Sequence, residues 1–187
     1  MQTPPPMSTT RQPLVTAEDL ATSHYADRHV ELVDGRVIEM SAAFSNHGGL
    51  AAHIHQALAV WNHTHRVGVV LSAETGFVLK RSPDTLRAPD VAFVRNDRWL
   101  AADKFFEGAP DVAIEVLSGG DRASQVSRKI RDYLRAGAQQ VWIVDPQART
   151  LDVHTQAGDV TLSGQDVLDG GDALPGFRLE LAALFAP

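Results

Sequence analysis

Apolar residues recur along the chain with spacings that predict one long helix and one hairpin. Between His47 and His65 they return every three or four positions, which predicts a helix with one side in the core. Between Val30 and Met40 they flank Asp34-Gly35, a dipeptide that accepts positive φ angles and favours a two-residue turn. This hairpin places Glu31 on its first strand.

Two further strands are predicted in the middle of the chain, at Val69 to Leu79 and at Ala88 to Val94. Both are rich in Val, Phe and Leu, and Ser82-Pro83-Asp84 forms the break between them. Pro89 makes Asp90 the residue that leads into the second of these strands.

A strand, helix, strand unit is predicted next. Val112 to Leu117 is a nearly continuous apolar run, as in a strand covered on both faces, and Ser118-Gly119-Gly120-Asp121 then turns the chain. Gly137 is the C′ residue of the following helix, and Val141 to Val144 resumes a strand. The apolar side of this helix carries Val126, Ile130, Tyr133 and Leu134. Such a crossover is expected to be right-handed, with its two strands parallel and adjacent or nearly so.

Shorter elements are predicted before the hairpin and after the strand, helix, strand unit. Thr16 and Asp19 form a capping box that opens a short helix, which we expect to end near Tyr25. Thr150 to Phe185 predicts short strands and turns. The elements together predict an α/β (α+β) fold with an N-terminal β-hairpin.

Composition narrows the class of protein. Of the 187 residues, 44% are hydrophobic and 21% are charged, so disorder and coiled coils have no compositional support. We expect one domain over residues 14–187, after a loose proline-rich tail at residues 1–13 that fits neither a signal nor a spanning segment. The lack of cysteine excludes disulfides and favours the cytoplasm. The net charge of −6 counts only mildly against DNA binding, because bound cations offset clustered carboxylates.

Glu115 is a carboxylate in the middle of the apolar run Val112 to Leu117. An ionised carboxylate buried without a partner is strongly unfavourable, so it must be paired, protonated or bound to a cation. One interpretation is an edge residue that faces solvent, or a structural ion pair. The other interpretation is a functional site.

Asp90 strengthens the second interpretation. It lies 25 residues before Glu115 and leads into another apolar strand, so adjacent strands would bring both carboxylates to one end of the sheet. Two hard oxygen ligands that leave room for water and phosphate oxygens suit magnesium. On its own, however, an aspartate after a proline is a common turn residue.

Lys129 and Glu31 are the remaining candidates. Lys129 borders the apolar side of its helix, from which its ammonium could lean toward the Glu115 strand while its stem packs on carbon. The plainer interpretation is a surface lysine. Glu31 is the weakest candidate on chemistry, because a glutamate in a half-exposed hairpin is usually solvated and its neighbours Val30 and Leu32 point the opposite way.

The histidines do not predict zinc. Chelating pairs on a helix need a spacing of three or four, whereas His53/His55 and His63/His65 are two apart and project from different sides. We therefore assign no zinc. The chain also has no phosphate loop, dinucleotide fingerprint or serine elbow, and Ser118-Gly119-Gly120 is only a weak lookalike of a phosphate loop.

Short motifs follow one another over nearly the whole chain, from about Thr16 to Phe185. They are His29-Val-Glu-Leu-Val-Asp-Gly35, Asn46-His-Gly48, Glu74-Thr-Gly-Phe77, Arg87-Ala-Pro-Asp-Val-Ala-Phe93, Pro110-Asp-Val-Ala-Ile-Glu-Val-Leu-Ser118, Lys129 with Tyr133-Leu-Arg-Ala-Gly137, Val141-Trp-Ile-Val-Asp145 and Leu174-Pro-Gly-Phe177. In this order they resemble the Uma-type restriction endonuclease family of the PD-(D/E)XK nuclease superfamily. The ordered set is far more specific than any one motif.

The resemblance implies a restriction-endonuclease-like fold, with a mixed central β-sheet flanked by helices. It implies that Asp90 and Glu115 bind the metal and that the backbone carbonyl of Val116 is a further ligand. The superfamily's lysine normally comes two residues after the second acid, where this chain has Leu117. The Uma-type pattern instead moves the lysine to the following helix, which matches Lys129.

The resulting hypothesis is a magnesium-dependent endonuclease, with manganese as a substitute, that hydrolyses DNA phosphodiester bonds. Glu31 matches the family's N-terminal glutamate, which is expected to help hold the metal or a water. Lys129 would orient the attacking water or stabilise the transition state. A symmetric homodimer would suit the cutting of both strands of a duplex. Phosphate contacts would come from scattered cations, unless these form only a solvated face: Lys80, Arg81, Arg87, Arg122, Arg128 and Arg131.

Two other functions stay open on the same residues. One is a catalytically silent module that binds nucleic acid or protein, which predicts DNA retention without cleavage. The other is a metal hydrolase that acts on a small phosphoester, which competition between nucleotides and duplex DNA would separate from a nuclease.

Overall fold

The computed structural model describes residues 13–22, 25, 28–40, 44–101 and 104–186. Its helices are α1 (Ala17–Leu20), α2 (Ser45–His65), α3 (Ala123–Arg135) and α4 (Leu181–Leu184). Its strands are β1 (Val30–Val33), β2 (Arg36–Glu39), β3 (Gly68–Ser72), β4 (Phe77–Lys80), β5 (Thr85–Arg87), β6 (Val91–Arg95), β7 (Phe106–Glu107), β8 (Val112–Val116), β9 (Gln140–Asp145), β10 (Thr150–His154), β11 (Asp159–Ser163), β12 (Val167–Asp169) and β13 (Arg178–Glu180). The tail expected over residues 1–13 lies outside the described residues, except for Pro13.

A six-stranded sheet forms the centre of the fold, in the order β11-β10-β9-β8-β6-β3. β8 and β9 pair in parallel and their other neighbours pair antiparallel, so the sheet is mixed. α3 connects β8 to β9, and Gly137 with a φ of 102° follows its C-cap as the C′ residue. The predicted strand, helix, strand unit is therefore confirmed.

This central sheet has an apolar core on each face. On one face, Ile54 and Leu58 of α2 pack in the same cluster as Ile114 of β8. On the other face, Tyr133 of α3 packs in a cluster with Ala113 of β8. Helices thus cover both faces of the sheet, as the resemblance implies. Because successive side chains of a strand point to opposite faces, every second residue of β8 faces α3.

A second sheet has the order β2-β1-β5-β4-β7, and β12 pairs with β13 in a separate ribbon. The predicted hairpin is formed by β1 and β2. Its turn has positive φ angles at Asp34 (48°) and Gly35 (71°), as a two-residue type I′ hairpin turn requires. Leu32 pairs with Leu86, which joins the hairpin to β5.

The strand predicted over Val69 to Leu79 is wrong as a single element. The structure divides it into β3 in the central sheet and β4 in the second sheet. Glu74 between them has a positive φ of 75°, which ends the extended conformation. A side chain at Gly76 would begin 2.5 Å from the ring of Phe105, so the close approach of this ring to the backbone favours glycine here.

The first helix is shorter than predicted. The capping box is present, with Thr16 and Asp19 each accepting a backbone hydrogen bond from the other. However, α1 ends at Leu20 and does not continue towards Tyr25. The hydroxyl of Thr22 donates to the Asp19 carbonyl at 2.6 Å, and this local bond competes with a further helical turn.

The long helix α2 begins at Ser45, two residues before the predicted start, and ends at His65 as predicted. Its buried residues Ile54, Leu58 and Trp61 lie on one side, as the apolar spacing indicates. Among the described residues, no helix has both the length and the apolar character needed to cross a bilayer.

Candidate active site

Asp90 and Glu115 lie at adjacent ends of two neighbouring strands of the central sheet. β6 and β8 are antiparallel neighbours, with Val91 opposite Ile114. The start of β6 therefore lies beside the end of β8. The Asp90 Oδ2 atom accepts a hydrogen bond of 2.8 Å from the backbone N–H of Val116, the residue after Glu115.

Glu115 projects from β8 towards α3, where two side chains hold its carboxylate. Lys129 Nζ donates to Glu115 Oε2 at 2.8 Å, and the Tyr133 hydroxyl donates to Oε1 at 2.8 Å. Lys129 and Tyr133 are four residues apart, so they share one face of the helix. Glu115 is only 7% exposed, which rules out the solvent-facing edge interpretation.

Burial changes the protonation of this group. Loss of solvent raises the pKa of Glu115 to about 7, against the opposing charge of Lys129. The nearby charges of Glu31 and Asp90 also raise this pKa. Burial alone would lower the pKa of Lys129, but Glu115 and Glu31 outweigh burial and raise it. The ammonium of Lys129 therefore stays charged. Positive charge stabilises the ionised forms of the nearby carboxylates Glu115, Glu31 and Asp90.

Glu31 is buried, in contrast to the solvated hairpin residue that the pattern suggests. It is 1% exposed, and its neighbour Leu32 is fully buried, because both faces of β1 are covered. Glu31 Oε1 lies 3.3 Å from Lys129 Nζ. The ammonium of Lys129 therefore lies between two carboxylates, from β1 and from Glu115 of β8.

Arg87 holds Glu31 from the other side. Its Nη1 atom donates to Glu31 Oε2 at 2.7 Å, and its Nη2 atom donates to Asp132 Oδ2 at 2.6 Å. Burial alone would lower the pKa of Arg87, but the two carboxylates raise it. Arg87 is 4% exposed, so the expectation that it contacts phosphate is wrong.

His47, in the first turn of α2, contacts Asp90. Its Nε2 atom lies 3.1 Å from Asp90 Oδ2, and its side chain is 13% exposed. The hydrogen bond to Asp90 raises the pKa of His47 against the effect of burial. A backbone hydrogen bond to Val116 also raises this pKa, so the backbone group is an acceptor, the carbonyl.

Sequence reasoning missed three groups that contact the candidate residues. The sequence predicts Tyr133 on the apolar side of its helix, Arg87 as a phosphate contact, and His47 as one of the histidines to which no zinc is assigned. A usable signal existed for Tyr133, which follows Lys129 at a spacing of four on the same helix. For His47 and Arg87 the contacts join residues more than 40 positions apart, which periodicity does not report.

The oxygen donors at these strand ends fit a hard divalent cation. Asp90, Glu115 and the Val116 carbonyl offer carboxylate and carbonyl oxygens, the ligands that magnesium prefers, and magnesium needs few protein ligands because it keeps several waters. Over residues 13–186, apart from the gaps in the description, no three His, Asp or Glu side chains are grouped as a metal cage. A small cleft beside the oxygen donors is lined by Glu115, Val116, Leu117, Asp121, Gln125, Val126, Lys129 and Ile143.

Most cations that we expected to contact phosphate are occupied by carboxylates. Lys80 and Arg128 both pair with Asp34, and Arg81 pairs with three acids. Two of the six expected cations are exposed and have no ion pair with a described residue, Arg122 and Arg131. Of the six expected cations, Arg122 and Arg131 therefore remain as candidates for phosphate contacts.

Comparison with known proteins identifies a family and similar solved structures. A family model described as "Uma2: Putative restriction endonuclease" matches residues 17–182. The fold is similar to the crystal structure of a protein from Anabaena variabilis described as a putative nuclease belonging to DUF820, with a TM-score of 0.73. The two chains are 19% identical over 83% of this chain and 89% of that chain, so this likeness shows a shared fold. No curated protein matches the chain.

Proposed function

Because the chain belongs to the Uma2 family, whose members are described as putative restriction endonucleases, we propose that it is a metal-dependent endonuclease that hydrolyses DNA phosphodiester bonds. The observation that supports this proposal is that Asp90 and Glu115 lie at adjacent ends of neighbouring strands, with Lys129 hydrogen-bonded to Glu115. Two carboxylates can bind a metal ion, and an amine beside them can orient a water molecule or bind a phosphate oxygen.

Asp90, Glu115 and the Val116 carbonyl are proposed to hold magnesium, for which manganese would substitute. A bound magnesium ion would supply a Lewis acid that neutralises charge on the phosphate and acidifies a water molecule. Hydrogen bonds within the chain fix the positions of the two carboxylates. The Val116 N–H holds the Asp90 carboxylate at 2.8 Å, and Tyr133 holds Glu115 at 2.8 Å.

Lys129 is proposed to act on the reacting groups directly. Its ammonium has three N–H donors, and Glu115 and Glu31 lie 2.8 and 3.3 Å from it. A remaining donor can orient a water molecule or bind a phosphate oxygen. Its raised pKa keeps it charged at neutral pH, as either role requires. Glu31 supports the site by fixing the position of this ammonium.

The first test replaces Glu115 with glutamine, which keeps the size of the side chain but removes its charge. Glu115→Gln should lower nicking of supercoiled plasmid DNA in Mg²⁺ or Mn²⁺ by at least roughly 100-fold, because the site loses a charged ligand. The wild-type reaction should stop on addition of EDTA. The matched control is Glu180→Gln, because Glu180 is an exposed glutamate outside the site.

Thermal unfolding of each variant checks that the proteins are folded. Equal nicking by wild type and Glu115→Gln would rule out this site as the place of cleavage. Retention of DNA by wild type without nicking in either metal would instead support the silent binding module.

A further inference from the structure

We propose that a surface beside the candidate site binds an unpaired strand of the DNA substrate through its bases. The surface consists of Phe44 and of the β2 strip, by which we mean Arg36 and Ile38 of β2 and Met40 directly after it. This inference rests on the proposed function and deepens it, because it names a single-stranded segment as the form of DNA that the site accepts.

The β2 strip lies next to Glu31. Ile38 is directly opposite Glu31 in the pairing of β2 with β1, and the pairing continues to Met40, whose N–H donates to the His29 carbonyl at 2.9 Å. Opposite residues place their Cβ atoms on the same face of a sheet, about 5 Å apart. Arg36 and Met40 are each two positions from Ile38 and share this face. Because β2 is the edge strand of its sheet, the strip extends outward the face that carries Glu31.

Phe44 lies close to another carboxylate of the site. It is the N-cap residue of α2, and His47, three residues later, contacts Asp90 Oδ2 at 3.1 Å. Three residues are less than one turn of a helix. Phe44 and the β2 strip therefore lie beside different carboxylates of the same candidate site.

Three apolar side chains of this surface are in contact with solvent. Ile38, Met40 and Phe44 are 40%, 41% and 71% exposed. Apolar side chains that are exposed together mark interaction sites, whereas apolar residues scattered singly over a surface do not. The flat face of a nucleobase is a ligand that such side chains can cover, and an aromatic ring can stack on it.

The exposed apolar groups favour an unpaired strand over a duplex. In a duplex each base is paired and stacked between its neighbours, so a side chain reaches the face of a base only where the strand is unpaired. A duplex also carries twice the phosphate charge of one strand over the same length. The net charge of the chain is −6, which makes the less charged single strand the better partner.

Arg36 adds a phosphate contact to this surface. It is exposed and has no ion pair with a described residue. Its position two residues before Ile38 lets the guanidinium bind a phosphate of the strand whose bases contact Ile38 and Phe44. Surfaces that bind single strands combine cations for the backbone with aromatic rings for the bases in this way.

Fluorescence anisotropy of a labelled oligothymidylate, titrated with the full-length protein in EDTA, measures this binding without cleavage. We expect the wild type to bind this strand more tightly than a blunt-ended duplex. Phe44→Ala should weaken strand binding at least about fivefold, the loss of one stacked base. Phe44→Trp should keep the affinity, because it restores an aromatic face. In the nicking assay Phe44→Ala should raise KM and leave kcat unchanged.

Arg36 has its own signature in the salt dependence of binding. Each phosphate contact with a single strand contributes about 0.7 to the slope of log affinity against log salt concentration. Arg36→Met should therefore lower this slope by about 0.7, whereas Phe44→Ala should leave it unchanged. Arg135→Met is the matched control, because Arg135 is exposed, has no ion pair with a described residue and ends α3.

Leu100→Ala is the matched control for Phe44→Ala. Leu100 is 81% exposed and follows the end of β6 that lies away from Asp90. This variant should bind the strand like the wild type. The melting temperature of each variant checks that it is folded.

Three results would overturn the inference, and plasmid nicking separates them from the proposed function. Equal strand binding by wild type and Phe44→Ala removes the surface from recognition. Tighter binding of the duplex than of the strand removes the unpaired strand as the preferred ligand. Absence of strand binding by the wild type overturns the inference outright, and the proposed function falls with it only if this protein also fails to nick plasmid DNA in Mg²⁺ or Mn²⁺.

Discussion

Tyr133 shows how a single buried side chain supports the candidate site. It is fully buried, and its hydroxyl donates to Glu115 Oε1 at 2.8 Å. Burial raises the pKa of Tyr133 well above its usual value, so the hydroxyl keeps its proton and remains a donor at every pH of interest. Tyr133 thus positions the carboxylate and has no contact with the expected place of a substrate.

Removal of this hydroxyl should cost stability. Tyr133→Phe leaves Glu115 with one donor fewer in a buried place, so we expect a loss of about 1–3 kcal/mol in the free energy of unfolding. Urea denaturation measures this loss. In a Glu115→Gln background the same change should cost less, because the charged acceptor is gone. Equal costs in the two backgrounds would contradict a direct role of this hydrogen bond.

At the scale of residues, the sequence identified members of the candidate site better than it identified the contacts that these side chains make. Asp90, Glu115 and Lys129 could be singled out because each breaks or borders an apolar pattern. The burial of Glu31 could not, because it depends on contacts with Arg87 of β5 and Lys129 of α3, which are distant in the sequence. The contact of His47 with Asp90 depends in the same way on where α2 lies relative to β6.

Arg87 joins three elements of the fold. It lies at the end of β5 and pairs with Glu31 of β1 and Asp132 of α3. These ion pairs connect the second sheet to the helix that carries Lys129. Breaking a buried pair by removing one partner leaves an uncompensated charge, which is strongly destabilising.

Arg87→Met should therefore lower the free energy of unfolding by about 3–5 kcal/mol. Guanidinium denaturation at pH 7 measures the loss. Arg131→Met, at an exposed position of α3, is the matched control and should stay within about 0.5 kcal/mol of the wild type. The account of this junction fails if the two variants have the same stability.

At the scale of elements, the sequence predicted correctly those elements whose formation depends on neighbouring residues. The Asp34-Gly35 turn and the unit of β8, α3 and β9 follow from turn residues and periodicity. The division of Val69 to Leu79 into β3 and β4 does not, because the two strands pair with partners in different sheets on either side of Glu74, whose φ is positive. α4 also lay within a segment predicted to contain only strands and turns.

The charge of the whole molecule makes a bound cation important for the proposed activity. The net charge is −6, and several of the cations are paired with carboxylates of the chain. A DNA phosphate that approaches Asp90 and Glu115 would therefore meet negative charge, which a divalent ion offsets. The proposed function thus depends on the capture of a metal at these strand ends.

Anomalous diffraction from crystals soaked in Mn²⁺ tests this capture most directly, because it needs no substrate. We expect an anomalous peak about 2.1 Å from carboxylate oxygens of both Asp90 and Glu115. The account is contradicted if the soaked crystals show no peak between these two side chains, or if their oxygens lie more than roughly 8 Å apart, too far for ligands at about 2.1 Å to share one ion.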